Sequence, residues 1–332
     1  MTGTAAGTTV RSMHAMASTV TFTVVKPAAA ADAALARAMG VVRQVEQTCS
    51  RFDGASALSR ANAEPDAWHD VPATLALALD EAARAHAETG GLFDPRVLDI
   101  LLTWGYDSGM TFGPEEPAAA GRHLPGVIPP WQRRGPWRPR VQMDGRTGRV
   151  HLGDTAVDLG GIGKGLAVRW AAASLVDAGA GAMVAAGGDL VVRGPAPDGE
   201  RWLVGVEDPS GAETPLAVLG LRDAACATSS VRRRRWRVGS DDVVHHLVDP
   251  RTGEPGGTGL LAVTVVADDP AWAEVWAKSL FLDGRSRVRA QARERGLAAI
   301  WVGSDGEVGC TPSLRDRVTW SRVSLETGPS GV

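Results

Sequence analysis

Asp158 to Leu175 reads DLGGIGKGLAVRWAAASL. The run predicts a strand, a glycine-rich turn and a helix, and the fold is organised around that turn. Gly160, Gly161, Gly163 and Gly165 let backbone approach a ligand closely. Free N–H groups at a helix start suit phosphate, and Lys164 adds a positive point beside them. The spacing is neither GxxxxGK(S/T) nor GxGxxG, so neither common nucleotide fingerprint applies. Glycines at a tight strand–helix turn also serve packing alone.

Downstream, AAGGDLVVRG (Ala185–Gly194) sets Asp189 after a double glycine at the start of a strand. An acid there either bonds the turn backbone or meets a ligand lying on the glycines. HHLVDPRTGEP (His245–Pro255) packs two histidines, an acid and a turn into one segment. A histidine here can orient or deprotonate a hydroxyl; Asp249-Pro250 with Thr252-Gly253 can equally be a turn. Arg232 to Arg235 form a charge run, either a solvated face or a phosphate or protein contact.

The bulk numbers limit the choices. Hydrophobic residues make up 44% and charged residues 22% of 332, a globular balance with enough chain for a large core. A net charge of −3 does not suit a general nucleic-acid binder. Cys49, Cys226 and Cys310 are odd in number and widely spaced, which reads as three buried thiols rather than disulfides or a zinc site. The N-terminus lacks a basic region followed by an apolar run, and no stretch approaches ~20 apolar residues. The expectation is a soluble, cytoplasmic protein.

Residues 1–18 read as a tail leading into a first strand, Thr19–Val25. Helices are expected over Ala29–Phe52, Thr74–Thr89, Gly163–Gly179, Ala271–Leu282 and Arg285–Arg295, with a short one in VLDILLTWGY closed by Gly105. Ser50–Asn62 reads as turn-rich. Residues from about 109 to 140 form an irregular Pro/Gly/Arg-rich excursion, and β-branched runs follow from Val141. The pattern is α+β with mostly antiparallel sheets flanked by helices, in one domain over 19–325 with a tail over 326–332.

Seven segments in order resemble the ApbE family of FAD:protein FMN transferases: SRFDGASALSRAN, GGLFDPRVLDILLTWGY, DLGGIGKGLAV, AAGGDL, WLVGVEDP, ATSS and HHLVDPRTGEP. The resemblance implies a cleft between subdomains that binds FAD, with Mg²⁺ at its diphosphate. It implies transfer of FMN to a threonine hydroxyl of an acceptor protein, with AMP leaving. It implies FAD contacts at Met16, Ser59, Trp104, Asp158, Gly161, Lys164, Gly188, Asp189, Ser229, His246 and Arg251. His246 matches the family's catalytically important histidine, and Glu274 joins it as a catalytic candidate. For the metal, the matching positions are the Gly163 carbonyl, Glu274 in place of an aspartate, and Lys278 in place of a threonine.

Lys278 is the sharpest departure. It lies in AEVWAKSLF (Ala273–Phe281) and is one of three lysines in the chain. A protonated ammonium has no lone pair and cannot ligate Mg²⁺. One reading is an i,i+4 pair with Glu274, worth about 0.2–0.5 kcal/mol on an exposed face. Apolar residues clothe that helix on nearly all sides, so its charges need partners. The expectation is that the Lys278 ammonium takes part of the metal's place beside Glu274 and the diphosphate, with weak or no metal binding. Met16-Ala17-Ser18, Arg169 and Ser230 depart from the family's MGT, an Asp and a Gly. Two other functions stay open: FAD binding without transfer, and hydrolysis of FAD to FMN and AMP.

Overall fold

The structure is a computed structural model that describes residues 2–5, 7–107, 118–119, 135–239 and 242–326. Most of the expected 109–140 excursion and almost all of the 326–332 tail lie outside the described residues.

The largest sheet has nine strands: Thr2–Ala5, Thr8–Ala15, Ser18–Val25, Gly181–Ala186, Asp189–Arg193, Ala224–Ser230, Leu260–Ala267, Ala298–Gly303 and Val308–Cys310. Spatial order follows chain order, and every neighbouring pair is antiparallel. The α+β expectation holds. The expected tail over 1–18 does not: Thr8–Ala15 pairs along its length with Ser18–Val25. Its polar alternation hid it, because the strand lies near the sheet edge and buries little of its length.

Alternate side chains feed separate cores, as strand geometry requires. Val191, Ala225 and Ala227 pack with the helices Ala31–Cys49, Ala73–Glu88 and Gly163–Ala173. Leu190, Val192, Ala224 and Cys226 face the other way, toward strands Trp202–Val206 and Ala217–Leu221. A third core joins Val263, Val265 and Trp301 to Leu280 and Phe281. A fourth gathers Leu101, Trp104, Tyr106, Trp236 and Val248.

The helix Pro270–Asp283 crosses the centre of this arrangement. Asp269 caps it, accepting from Ala271 N at 2.9 Å and Trp272 N at 3.1 Å, and Pro270 occupies its first position. It is buried nearly all round, as its composition predicts. Gly165 lets it approach the Gly163–Ala173 helix: a Cβ on Gly165 would stand 2.5 Å from Ala271 Cα.

Local expectations differ in three places. The residues before Gly160 form no strand; Asp158 N instead donates to Pro95 O at 2.8 Å, and Gly160 N donates to Asp158 Oδ1 at 2.6 Å. The helix predicted to Gly179 ends at Ala173. Within the turn-rich Ser50–Asn62 stretch a short helix, Ala57–Ala63, is capped by Ser56. The three thiols are buried and free, and burial pushes Cys49 up to about 11 and Cys226 up to about 12.

Candidate active site

A cleft open to solvent lies between the third and fourth cores. Phe93, Asp94, Val97, Leu101 and Tyr106 line one side. Asp158, Gly160 and Gly161 supply the glycine turn; Arg234, hydrogen-bonded to Tyr106, and the His246–Val248 segment adjoin Tyr106; Lys278 and Leu282 come from the central helix. Of the predicted site residues, Asp158, Gly161, His246 and Lys278 therefore meet in one place.

His246 is oriented by backbone. Its N donates to Arg234 O at 3.2 Å, and its Nδ1 lies 3.4 Å from the same carbonyl. A carbonyl only accepts, so Nδ1 carries the proton and Nε2 keeps its lone pair. Burial holds the imidazole well below its ordinary pKa, and the nearby cations Arg234 and Lys278 add to the effect. The ring is thus a neutral base near pH 7. Neighbouring His245 is lowered to about 4, also by burial.

Asp158 does not face the cleft unpaired. Its Oδ2 accepts from Arg51 Nε at 3.1 Å and its Oδ1 from Gly160 N. Arg51 also donates to Tyr106 O at 2.8 Å and stacks on the Phe52 and Tyr106 rings. Asp94 is held by Arg96, whose Nη2 donates to Oδ2 at 2.7 Å and Nε to Oδ1 at 2.9 Å.

Met16, Gly163, Lys164, Gly188, Asp189 and Glu274 form a second group beside the glycine turn. Lys164 pairs with buried Asp189 and with Glu274 Oε1 at 3.1 Å. Glu274 Oε2 accepts from Gly165 N at 2.8 Å. The expected free amides are therefore partly used within the chain: Gly163 N donates to Leu159 O at 2.8 Å, and Gly165 N is capped by Glu274. Gly188 (φ +103°) closes, with Gly187 (φ +60°), the two-residue turn that presents Asp189. Met16 lies over the helix start, its Cε 3.7 Å from where a Gly163 Cβ would be, and its N donates to Glu46 Oε1 at 2.5 Å.

Four predicted contacts lie outside the cleft lining. Ser59 Oγ donates to Ser50 O at 3.2 Å. Trp104 is buried in the fourth core, and its carbonyl accepts from Trp236 Nε1 at 2.9 Å. Ser229 is buried in a central strand. Arg251 clamps Asp249 through two parallel bonds and reaches Leu282 O at 2.8 Å, so it fixes the turn after His246. Sequence reasoning missed Arg51, Tyr106 and Asp94. Arg51 sits beside Phe52 in a matched segment, which is the signal that could have found it.

The i,i+4 pair of Glu274 with Lys278 does not form. The Lys278 ammonium makes no hydrogen bond or salt bridge among the described residues. Its Nζ instead lies across the glycine turn: a Cβ on Gly161 would stand 2.5 Å from it. Burial lowers the Lys278 pKa, opposed by Glu274 and Asp158. The donor set does not fit Mg²⁺. Both Glu274 oxygens are engaged, a protonated Lys278 offers no lone pair, and among the described residues no group of three or more His, Cys, Asp or Glu is placed to hold a metal.

A glycine turn, an oriented neutral histidine and two cations in one cleft define a site for an anionic ligand with proton-transfer chemistry beside it. Residues 16–301 match the ApbE family, and the chain belongs to it. FAD:protein FMN transferases from Klebsiella pneumoniae and Treponema pallidum are 27% and 29% identical, over 84% and 88% of this chain and 79% and 83% of theirs. The crystal structure of the ApbE protein from Thermotoga maritima superposes with a TM-score of 0.78 at 23% identity, covering 93% of this chain and 98% of that one. Among the described residues no helix is long and apolar enough to cross a membrane.

Proposed function

We propose that this chain transfers FMN from FAD to a threonine hydroxyl of an acceptor protein. The threonine oxygen attacks the FMN phosphorus, the bond between the two phosphates breaks, and AMP leaves. The hydroxyl proton passes to His246 Nε2. The observation that carries the reading is His246: a neutral imidazole, fixed through Nδ1 to Arg234 O, on the wall of the cleft. Family membership supports FAD as the donor.

The test is incubation with FAD and a threonine-bearing acceptor domain, with and without Mg²⁺, followed by in-gel flavin fluorescence. A fluorescent acceptor band is expected. A dark band with AMP release would mean hydrolysis instead. A second reading, FAD binding without transfer, is favoured by one observation, the Lys278 ammonium across Gly161. It would show bound flavin absorbance with neither transfer nor AMP.

A further inference from the structure

We infer that Lys278 and Arg234 form a metal-free subsite for the dinucleotide's diphosphate, with Lys278 at a position where the resemblance implies a metal ligand. The inference rests on the FAD reading of the same cleft and names how that cleft handles charge.

The charged residues lining the cleft are Asp94, Asp158, Arg234 and Lys278. The two carboxylates are each neutralised by a guanidinium behind the wall, Arg96 and Arg51. Among the described residues, neither Arg234 nor Lys278 forms a salt bridge with a carboxylate. Two positive charges therefore line the cavity with no carboxylate bonded to either, although Glu274 and Asp158 act on Lys278 through space. A diphosphate diester carries two negative charges at neutral pH, so the two cations match it without a metal.

The geometry agrees. The Lys278 ammonium lies against the Gly161 backbone, its Nζ 2.5 Å from where a Cβ on Gly161 would stand. A phosphate resting on that backbone meets the ammonium directly. Arg234 and Lys278 both act on the His246 ring from within the cleft. The residue at the family's carboxylate position, Glu274, is meanwhile committed to Lys164 and to Gly165 N. The carboxylate has become part of the scaffold, and the charge it would have positioned is supplied one helical turn later. Burying an ammonium without a partner is costly, and an arriving diphosphate relieves that cost.

The test titrates FAD into metal-stripped protein, read by flavin fluorescence, with chelator or with added Mg²⁺. The expected dissociation constants agree within about threefold. Lys278→Met and Arg234→Met each weaken FAD binding at least about tenfold, the scale of one charge-assisted hydrogen bond. Thermal melting of each variant checks that it is folded. Binding that strengthens tenfold or more on adding Mg²⁺ overturns the inference and leaves the FAD reading standing. So do folded variants that bind FAD as the wild type does. No FAD binding with or without metal overturns both.

Discussion

His246 shows how much one ring depends on its surroundings. Its tautomer is set by the Arg234 carbonyl, and its neutrality by burial beside two cations. His246→Gln keeps a side chain of similar reach but removes the base. We expect transfer to fall about 10²–10⁴-fold with FAD affinity changed less than about threefold, measured by single-turnover rates and flavin titration. Lys278 carries the opposite balance. Its ammonium is desolvated without a carboxylate partner, so Lys278→Met should stabilise the ligand-free protein by on the order of 1 kcal/mol in urea unfolding while weakening FAD binding. Much of this was legible in the sequence. Asp158, Gly161, His246 and Lys278, singled out in the sequence, line one cleft, because glycine turns and histidine-bearing segments keep a local signature. Their partners were not. That Glu274 turns to Lys164 rather than to Lys278 depends on two helices meeting, which no local spacing encodes.

At the scale of elements, the site rests on the contact between the helices Gly163–Ala173 and Pro270–Asp283. Gly165 makes that contact possible, since any Cβ there meets Pro270 O at 2.6 Å and Ala271 Cα at 2.5 Å. Both neighbours are backbone and cannot swing aside. Gly165→Ala should destabilise by about 1–3 kcal/mol and should separate Gly165 N from Glu274, measured by urea unfolding. The helices themselves were legible, because Asp269-Pro270 and the following apolar run are strong start signals. The hairpin of Thr8–Ala15 with Ser18–Val25 was not. Its turn is Met16-Ala17, with φ of 53° and 55°, where the sequence offers no glycine to announce it. Ala17→Gly relieves left-handed strain and should stabilise by about 0.5–1 kcal/mol in the same assay.

For the whole molecule, the buried histidines link stability to pH. His245 is lowered from 6.5 to about 4 by burial. Above pH 6.5 both folded and unfolded chains hold it neutral. Below 6.5 the unfolded chain takes up a proton that the folded chain refuses, so stability is lost as pH falls from about 6.5 toward about 4. His246, shifted the same way, adds to the loss. Urea midpoints at pH 7 and pH 5 should differ by on the order of 2 kcal/mol in unfolding free energy, and His245→Phe should shrink the difference. The antiparallel α+β class was readable from strand and helix periods, but the order of nine strands was not, since pairing joins residues far apart in the chain.

The central claim is that the cleft bearing His246 moves FMN onto a protein hydroxyl. Intact-mass spectrometry of a threonine-bearing acceptor, after incubation with FAD and metal-stripped enzyme, tests it most directly. The account predicts an added mass equal to an FMN phosphoester, one AMP released per acceptor modified, and no addition with His246→Gln. An unmodified acceptor beside a wild-type enzyme that has bound FAD, with Mg²⁺ present as well as absent, would contradict it.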